Sequence, residues 1–229
     1  MNSPGTPPLG PTGRRLRLSG TADAPRSRGL LHLGALVAAL PAAGVLVWRH
    51  GPGDGVALYA LALVGLFAVS ASYHLCSWAP PARRRMRLLD HQMIFVFIAA
   101  STTPYCLLAV PGALAYVVLG AAWLGAAAAA LAVATRFEAS RHITSTAYIV
   151  LGWLAIVTLP EAVQHLGARQ LALMTSMALL YTAGAGVLAL KWPDPAPAVF
   201  GYHEVWHAMV VIATACGFAF IWSLAGHRP

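Results

Sequence analysis

The last long apolar run of the chain opens on Phe200-Gly-Tyr-His-Glu-Val-Trp-His207 and continues to residue 225. A run of this length crosses the apolar core of a bilayer as an α-helix. On such a helix His203 and His207 lie one turn apart on the same face. Two imidazoles so placed can fill two positions of a tetrahedral zinc site, and catalytic zinc sites take three protein ligands and a water. The third ligand must come from elsewhere, and His74 is the best candidate.

The composition is that of a polytopic membrane protein. Apolar residues make up 59% of the 229 residues, charged residues only 10%, and the mean hydropathy is +0.68. Soluble domains carry about 25% charged residues. The net charge of +8 does not indicate nucleic-acid binding, because the basic residues lie in an N-terminal tail and in short loops between apolar runs, where membrane topology explains them.

Seven apolar runs, each near the ~20 residues that cross a bilayer, predict an all-α fold with seven transmembrane helices. Separators rich in Gly and Pro divide them, and Pro104 is a candidate for ending or kinking the third helix. Two regions follow from this pattern: a disordered basic tail at 1–28 and a seven-helix domain at 29–226. The runs lie at 30–49, 55–76, 88–109, 112–134, 143–160, 168–190 and 201–225.

The basic residues predict the orientation of this bundle in the cell membrane. With the N-terminus in the cytoplasm, the tail, two loops and Lys191 place 12 Lys and Arg residues on the cytoplasmic side and three on the other. Cytoplasmic loops carry the excess of Lys and Arg. We therefore expect a cytoplasmic N-terminus, an external C-terminus and an odd number of spans, in agreement with seven.

This topology brings ionisable residues from three helices to one level near the cytoplasmic face. His74 ends the second run, Asp90 and His91 begin the third, and two histidines lie in the first turns of the seventh. Ionisable groups inside a membrane are costly and are candidates for function. Ser70 lies one turn before His74, where its hydroxyl can bond a water or ligand, or its own helix carbonyl.

Three segments of the chain resemble the signatures of the hemolysin III family. The family belongs with the progestin and adiponectin receptors and, more broadly, with the alkaline-ceramidase-like membrane hydrolases. The resemblance extends from Leu30 to Leu224, and its specificity comes from the order of the motifs on the second, third and seventh helices. The three segments are Ser70-Ala-Ser-Tyr-His74, Leu89-Asp-His91 and Gly201-Tyr-His-Glu-Val-Trp-His207.

The resemblance implies a zinc site and the roles of five residues. His74, His203 and His207 would bind one Zn²⁺ ion, Asp90 would act as the general base for a water at the ion, and Ser70 would support that water or an oxyanion. His32 and His91 also match family positions, but we assign neither as a ligand. The segment before the first helix departs from the family, which often carries an acidic residue there, since here it is rich in arginine.

Several functions stay open from the sequence. The first is a zinc-dependent amidase or esterase acting on a membrane lipid, and the second is a membrane sensor in which zinc is structural. Three histidines leave a fourth position open, which is the pattern of catalytic sites. We rank lower a pore-forming haemolysin and an intramembrane metalloprotease, in which His203-Glu-Val-Trp-His207 would be an H-E-x-x-H motif with Glu204 as the base.

Overall fold

The computed structural model describes residues 27–136 and 141–226. Within these ranges the chain is helical and contains no β-strand. Seven helical segments are long and apolar enough to cross a membrane, the fifth of them being the composite stretch Ser145–His165, and this confirms the predicted seven-span bundle. The helices are α1 (Leu30–His50), α2 (Val56–Leu75), α3 (Pro80–Ala109), α4 (Ala113–Arg136), α5 (Arg141–Gly152), a 3₁₀ segment (Leu154–Thr158), α6 (Leu159–His165), α7 (Ala168–Leu190) and α8 (Tyr202–Ala225).

The start of the third helix differs from the prediction. α3 begins at Pro80, eight residues before the expected position, so that the basic stretch 83–87 is helical rather than a loop. Pro at the first position favours helix initiation, and the Ala, Arg and Met residues that follow are good helix formers. Asp90 therefore lies in the third turn of α3. A carboxylate in the first turn of a helix is favoured by the helix dipole, but Asp90 lies beyond that turn. The dipole therefore does not explain its position.

Pro104 neither ends nor interrupts the third helix. α3 continues past it to Ala109 as a single helix of 30 residues. In the turn before this proline, the hydroxyls of Ser101 and Thr103 donate to the carbonyls of Phe97 and Ala99 at 2.7 and 2.8 Å. The chain turns instead at 110–112, where Gly112 takes a φ of 67°.

The fifth run is broken inside its span. The α-helix ends at Gly152, a 3₁₀ segment follows, and α6 restarts at Leu159 with Pro160 in its first turn. Proline has no N–H and its ring clashes with the carbonyl four residues before it. The tighter 3₁₀ turn lies just before Pro160, but α3 runs through Pro104 unbroken, so the proline alone does not account for the break.

The bundle packs so that α8 lies between helices from both halves of the chain. α7 packs along α8, α1 packs on α2, and α3 contacts α2, α4 and α8. The fully buried core includes Leu46 of α1, Tyr59 of α2, Cys106 of α3 and Ile221 of α8. These contacts bring the end of α2, the first third of α3 and the start of α8 together. The predicted disordered tail lies outside the described residues except for Ser27 and Arg28.

Candidate metal site

Three histidines from two helices meet at one end of the bundle. His74 lies in the last turn of α2, and His203 and His207 lie in the first two turns of α8. One ring nitrogen from each residue lies within 4.8 Å of the others, and His74 and His207 are buried. The ring centroids are 5.2 Å apart for His74 and His203, 5.0 Å for His74 and His207, and 4.5 Å for the two α8 histidines. We call these three residues the histidine trio.

Four of the six ring nitrogens of the trio have no hydrogen-bond partner in the part of the chain that the structure describes. Nε2 of His74, Nε2 of His203 and both nitrogens of His207 are buried without a hydrogen bond to any described residue. Buried polar atoms are nearly always satisfied, and leaving one unpaired costs about 1–3 kcal/mol. Several such atoms converging on one point are the donor set that a metal ion of the transition series requires, because neutral imidazole is a ligand through its lone pair.

Asp90 and Ser70 lie next to the trio, as the sequence predicts for their positions. Oδ2 of Asp90 is 3.9 Å from Nε2 of His74. Ser70 is buried and lines the same cavity as Asp90. Its hydroxyl lies 2.7 Å from Nδ1 of His32. Among the described residues, the Ser70 hydroxyl thus contacts His32 and does not bond its own helix carbonyl.

His32 is a site residue whose contacts the sequence did not predict. It is buried in the first turns of α1, and its ring stacks on His207 with the centroids 3.9 Å apart and the planes 13° apart. Its position at the start of the first run was the available signal, because α1 begins at the end of the bundle where α2 ends. His91, which we also did not assign as a ligand, bonds the Arg87 carbonyl at 2.7 Å through Nδ1.

Glu204, the acidic residue of the H-E-x-x-H pattern, has both oxygens engaged away from the trio. Oε1 accepts from Nε of Arg28 at 2.8 Å, and Oε2 accepts from the backbone N–H of Gly201 at 3.0 Å. Glu204 is fully buried. It thus satisfies a free N–H at the start of α8 and forms an ion pair with the segment before α1. This arrangement is that of a structural anchor.

Ser27, Arg28 and Gly29 form a strap over the site. The backbone N–H of Ser27 donates to the carbonyl of Val199 at 3.3 Å, and its hydroxyl bonds the same carbonyl. Gly29 has a φ of 85°, and a Cβ at this residue would lie 2.8 Å from Cβ of His74. The strap therefore joins the start of α8 to the end of α2, which are the two helices that carry the trio.

Gly29→Ala should destabilise the protein, because alanine would be strained at this φ and would collide with His74. We expect a loss of about 2 kcal/mol in the free energy of unfolding, in the range of a residue held in an unfavoured conformation. Thermal unfolding of the purified protein in detergent measures it. Gly34→Ala is the matched control, since no atom lies within 4 Å of a Cβ there and helical alanine is favoured. Equal unfolding temperatures for the two variants would contradict the packing of the strap.

An apolar cavity of about 170 Å³ begins beside the trio and extends along the inside of the bundle. Asp90 and Ser70 line the end near the trio, so that Asp90 borders both the trio and the cavity. Tyr59, Tyr181 and Phe220 line it farther in. Such a mostly apolar space with a few convergent polar groups at one end is the usual form of a small-ligand site.

Comparison with known proteins agrees with this architecture. The chain is 26% identical to Hemolysin-3 of Bacillus cereus over 195 residues, which cover 81% of this chain and 84% of that protein. It is 25% identical to the human Monocyte to macrophage differentiation factor over 179 residues, covering 75% of this chain and 71% of the relative. The model of the family described as Haemolysin-III related matches residues 21–218. The protein is therefore a multi-pass membrane protein that belongs to the haemolysin-III-related family.

Proposed function

We propose that this protein is a zinc-dependent hydrolase that cleaves an amide or ester bond of a membrane lipid near the cytoplasmic leaflet. The observation that carries the proposal is the trio itself. Its buried nitrogens have no bonding partner among the described residues, and they lie beside a carboxylate that borders an apolar cavity. A ligand set, a base and an apolar space thus adjoin one another.

The residues present fit zinc better than a hard metal. Three imidazoles offer nitrogen ligands, whereas calcium and magnesium take oxygen ligands. His74, His203 and His207 would hold the ion and leave a fourth position open, as in catalytic zinc sites. When bound, zinc supplies Lewis acidity, which polarises a carbonyl oxygen and lets water lose a proton near neutral pH.

Asp90 is proposed to move the proton. Its carboxylate, 3.9 Å from His74, would accept a proton from the attacking water and return it to the leaving amine or alkoxide. Ser70 would orient that carboxylate by donating to it, and His32 would in turn fix the Ser70 hydroxyl through the 2.7 Å contact. His32 also limits the movement of the His207 ring by stacking on it.

The cavity supports a lipid rather than a peptide as the substrate. It lies inside a seven-span bundle and is lined mainly by apolar and aromatic side chains. An acyl chain placed in it would keep water away from the reacting bond and would bring its carbonyl to the polar end, beside Asp90. The predicted orientation, with the start of α8 in the cytoplasm, gives the proposed side of the membrane.

A structural metal is the second candidate, and one observation favours it. The trio joins α2 to α8, yet α2 packs mainly on α1 and α3, while α8 packs mainly on α7. A metal ion would therefore tie together two helices that otherwise share little contact, and the protein would organise or sense the membrane without turnover. The two candidates differ in what Asp90 does, because only a hydrolase needs a base.

The test of the proposal combines metal analysis with a hydrolysis assay on the purified protein. We expect about one zinc per chain by elemental analysis, the stoichiometry of a mononuclear three-ligand site. We also expect release of free fatty acid from a panel of ceramides and other acyl lipids in liposomes, lost on chelation and restored by zinc. Zinc without release from any lipid would favour the structural candidate, and the absence of zinc would exclude both.

A further inference from the structure

The apolar cavity contains one polar group whose role the proposed chemistry does not explain. The hydroxyl of Tyr59 is fully buried and has no hydrogen-bond partner within residues 27–136 and 141–226. Tyr59 lines the cavity together with Gly217. A Cβ at position 217 would lie 4.0 Å from this hydroxyl, an ordinary van der Waals contact, and 2.9 Å from the sulfur of Met177, so α8 passes close to the Tyr59 oxygen here.

The other tyrosines that line the cavity have partners for their hydroxyls. Tyr105 bonds the hydroxyl of Thr158 at 2.5 Å, and Tyr181 bonds the hydroxyl of Thr214 at 2.8 Å. Tyr148 donates to the carbonyl of His91 at 3.1 Å. Buried tyrosine hydroxyls usually find such partners. Tyr59 differs from these three, and its free hydroxyl lies where a cavity ligand would pass.

The distance of Tyr59 from the polar end of the cavity, where Ser70 lies near the trio, can be judged along two helices. Tyr59 precedes Ser70 by 11 residues on α2, which is about 16 Å at 1.5 Å per residue. Gly217, beside the hydroxyl, follows His207 by ten residues on α8, which is about 15 Å. A chain whose carbonyl lies beside Asp90 would reach Tyr59 well along its length, at an interior carbon of a long acyl group.

We propose that Tyr59 hydrogen-bonds a hydroxyl carried at mid-chain by the acyl group, which makes hydroxylated acyl lipids the preferred substrate class. This inference rests on the proposed function. A plain acyl chain would leave the Tyr59 hydroxyl unpaired, whereas a chain hydroxyl would satisfy it and be satisfied by it. Sites built to bond a ligand hydroxyl discriminate against the analogue that lacks it, because their own polar group is then left buried and unpaired.

The experiment is a competition between two fatty acids for the purified full-length protein. The protein is incubated in detergent with equal amounts of stearate and of a stearate bearing a mid-chain hydroxyl, repurified, and its bound fatty acids are measured by mass spectrometry. We expect the hydroxylated acid to be enriched about five- to tenfold in wild type, as one additional buried hydrogen bond predicts. Tyr59→Phe should bring the ratio to one or below, because the chain hydroxyl is then buried without a partner.

The ratio within each sample does not depend on how much of a variant folds. Tyr105→Phe is the matched control, since it removes a cavity hydroxyl that already has a partner, and it should leave the enrichment unchanged. Equal binding of both acids by wild type would overturn this inference and leave the lipid hydrolase standing. Enrichment that persists in Tyr59→Phe would overturn the assignment to Tyr59. Binding of neither acid would overturn the inference and count against the proposed function as well.

Discussion

Asp90→Asn is expected to reduce lipid hydrolysis by at least 100-fold while zinc stays bound. Asparagine has nearly the same shape as aspartate but cannot accept the proton, and general-base catalysis contributes about 10²–10⁴-fold to a rate. The three nitrogen ligands of the proposed site come from the histidine trio and Asp90 is not one of them, so zinc should stay bound in this variant. The measurement is fatty-acid release from liposomes alongside elemental analysis of the same preparation.

Glu204→Gln is the control for this prediction, and it also tests the metalloprotease alternative. Glu204 is the acidic residue of the H-E-x-x-H pattern, and its oxygens bond Arg28 and the Gly201 N–H. Glutamine keeps an oxygen for Gly201, so hydrolysis should persist near the wild-type rate with lower stability. If Glu204→Gln abolishes turnover and Asp90→Asn leaves it intact, the base is Glu204 and our assignment is wrong.

The fold was predictable from the sequence because each transmembrane helix is marked by one continuous stretch of the chain. Each span is a run of apolar residues long enough to cross a bilayer, and the structure confirms seven of them. The predicted helix boundaries are wrong where a helix extends beyond its apolar run and where a helix breaks within one. α3 extends back through a basic stretch to Pro80, since charged residues do not end a helix, and the fifth span breaks before Pro160.

The site was predictable only in part, for a physical reason. His203 and His207 share a helix face by their spacing, and the shared depth of His74 and Asp90 followed from the topology. The contacts of Arg28 and His32 depend on how the start of α1 packs against α8. The residue spacing within one helix does not predict such a contact between helices. Arg28 in particular appeared to be one more residue of a basic tail, whereas its guanidinium pairs with a buried carboxylate.

The unpaired hydroxyl of Tyr59 is a more extreme case of the same limit. In the sequence it is an aromatic residue within an apolar run, indistinguishable from Tyr105 or Tyr181. The hydroxyls of Tyr105 and Tyr181 bond Thr158 and Thr214. No described residue offers the Tyr59 hydroxyl a hydrogen bond. An unsatisfied group is a property of the packed bundle, and it becomes visible only when the partners of every buried polar atom are known.

His207→Ala is expected to abolish zinc binding and, with it, the zinc-dependent part of the protein's stability. His207 is buried and neither of its ring nitrogens has a partner among the described residues, so it contributes to the site with no competing bond. Loss of one of three ligands should reduce zinc from about one ion per chain to near zero after dialysis against a weak chelator. Elemental analysis of wild type and variant in parallel measures this.

Thermal unfolding with and without chelator separates the loss of zinc from a loss of fold. A ligand that binds only the folded state stabilises it by an amount that grows with the logarithm of its concentration over Kd, about 4 kcal/mol at 1,000-fold saturation. Chelation should therefore lower the unfolding temperature of wild type and of Asp90→Asn, and should not change that of His207→Ala. His91→Ala, which alters a histidine outside the trio, should behave as wild type in both measurements. If His207→Ala keeps its zinc while His91→Ala loses it, the ion is not bound by the trio. That result would contradict the metal site on which both the hydrolase and the structural candidate depend.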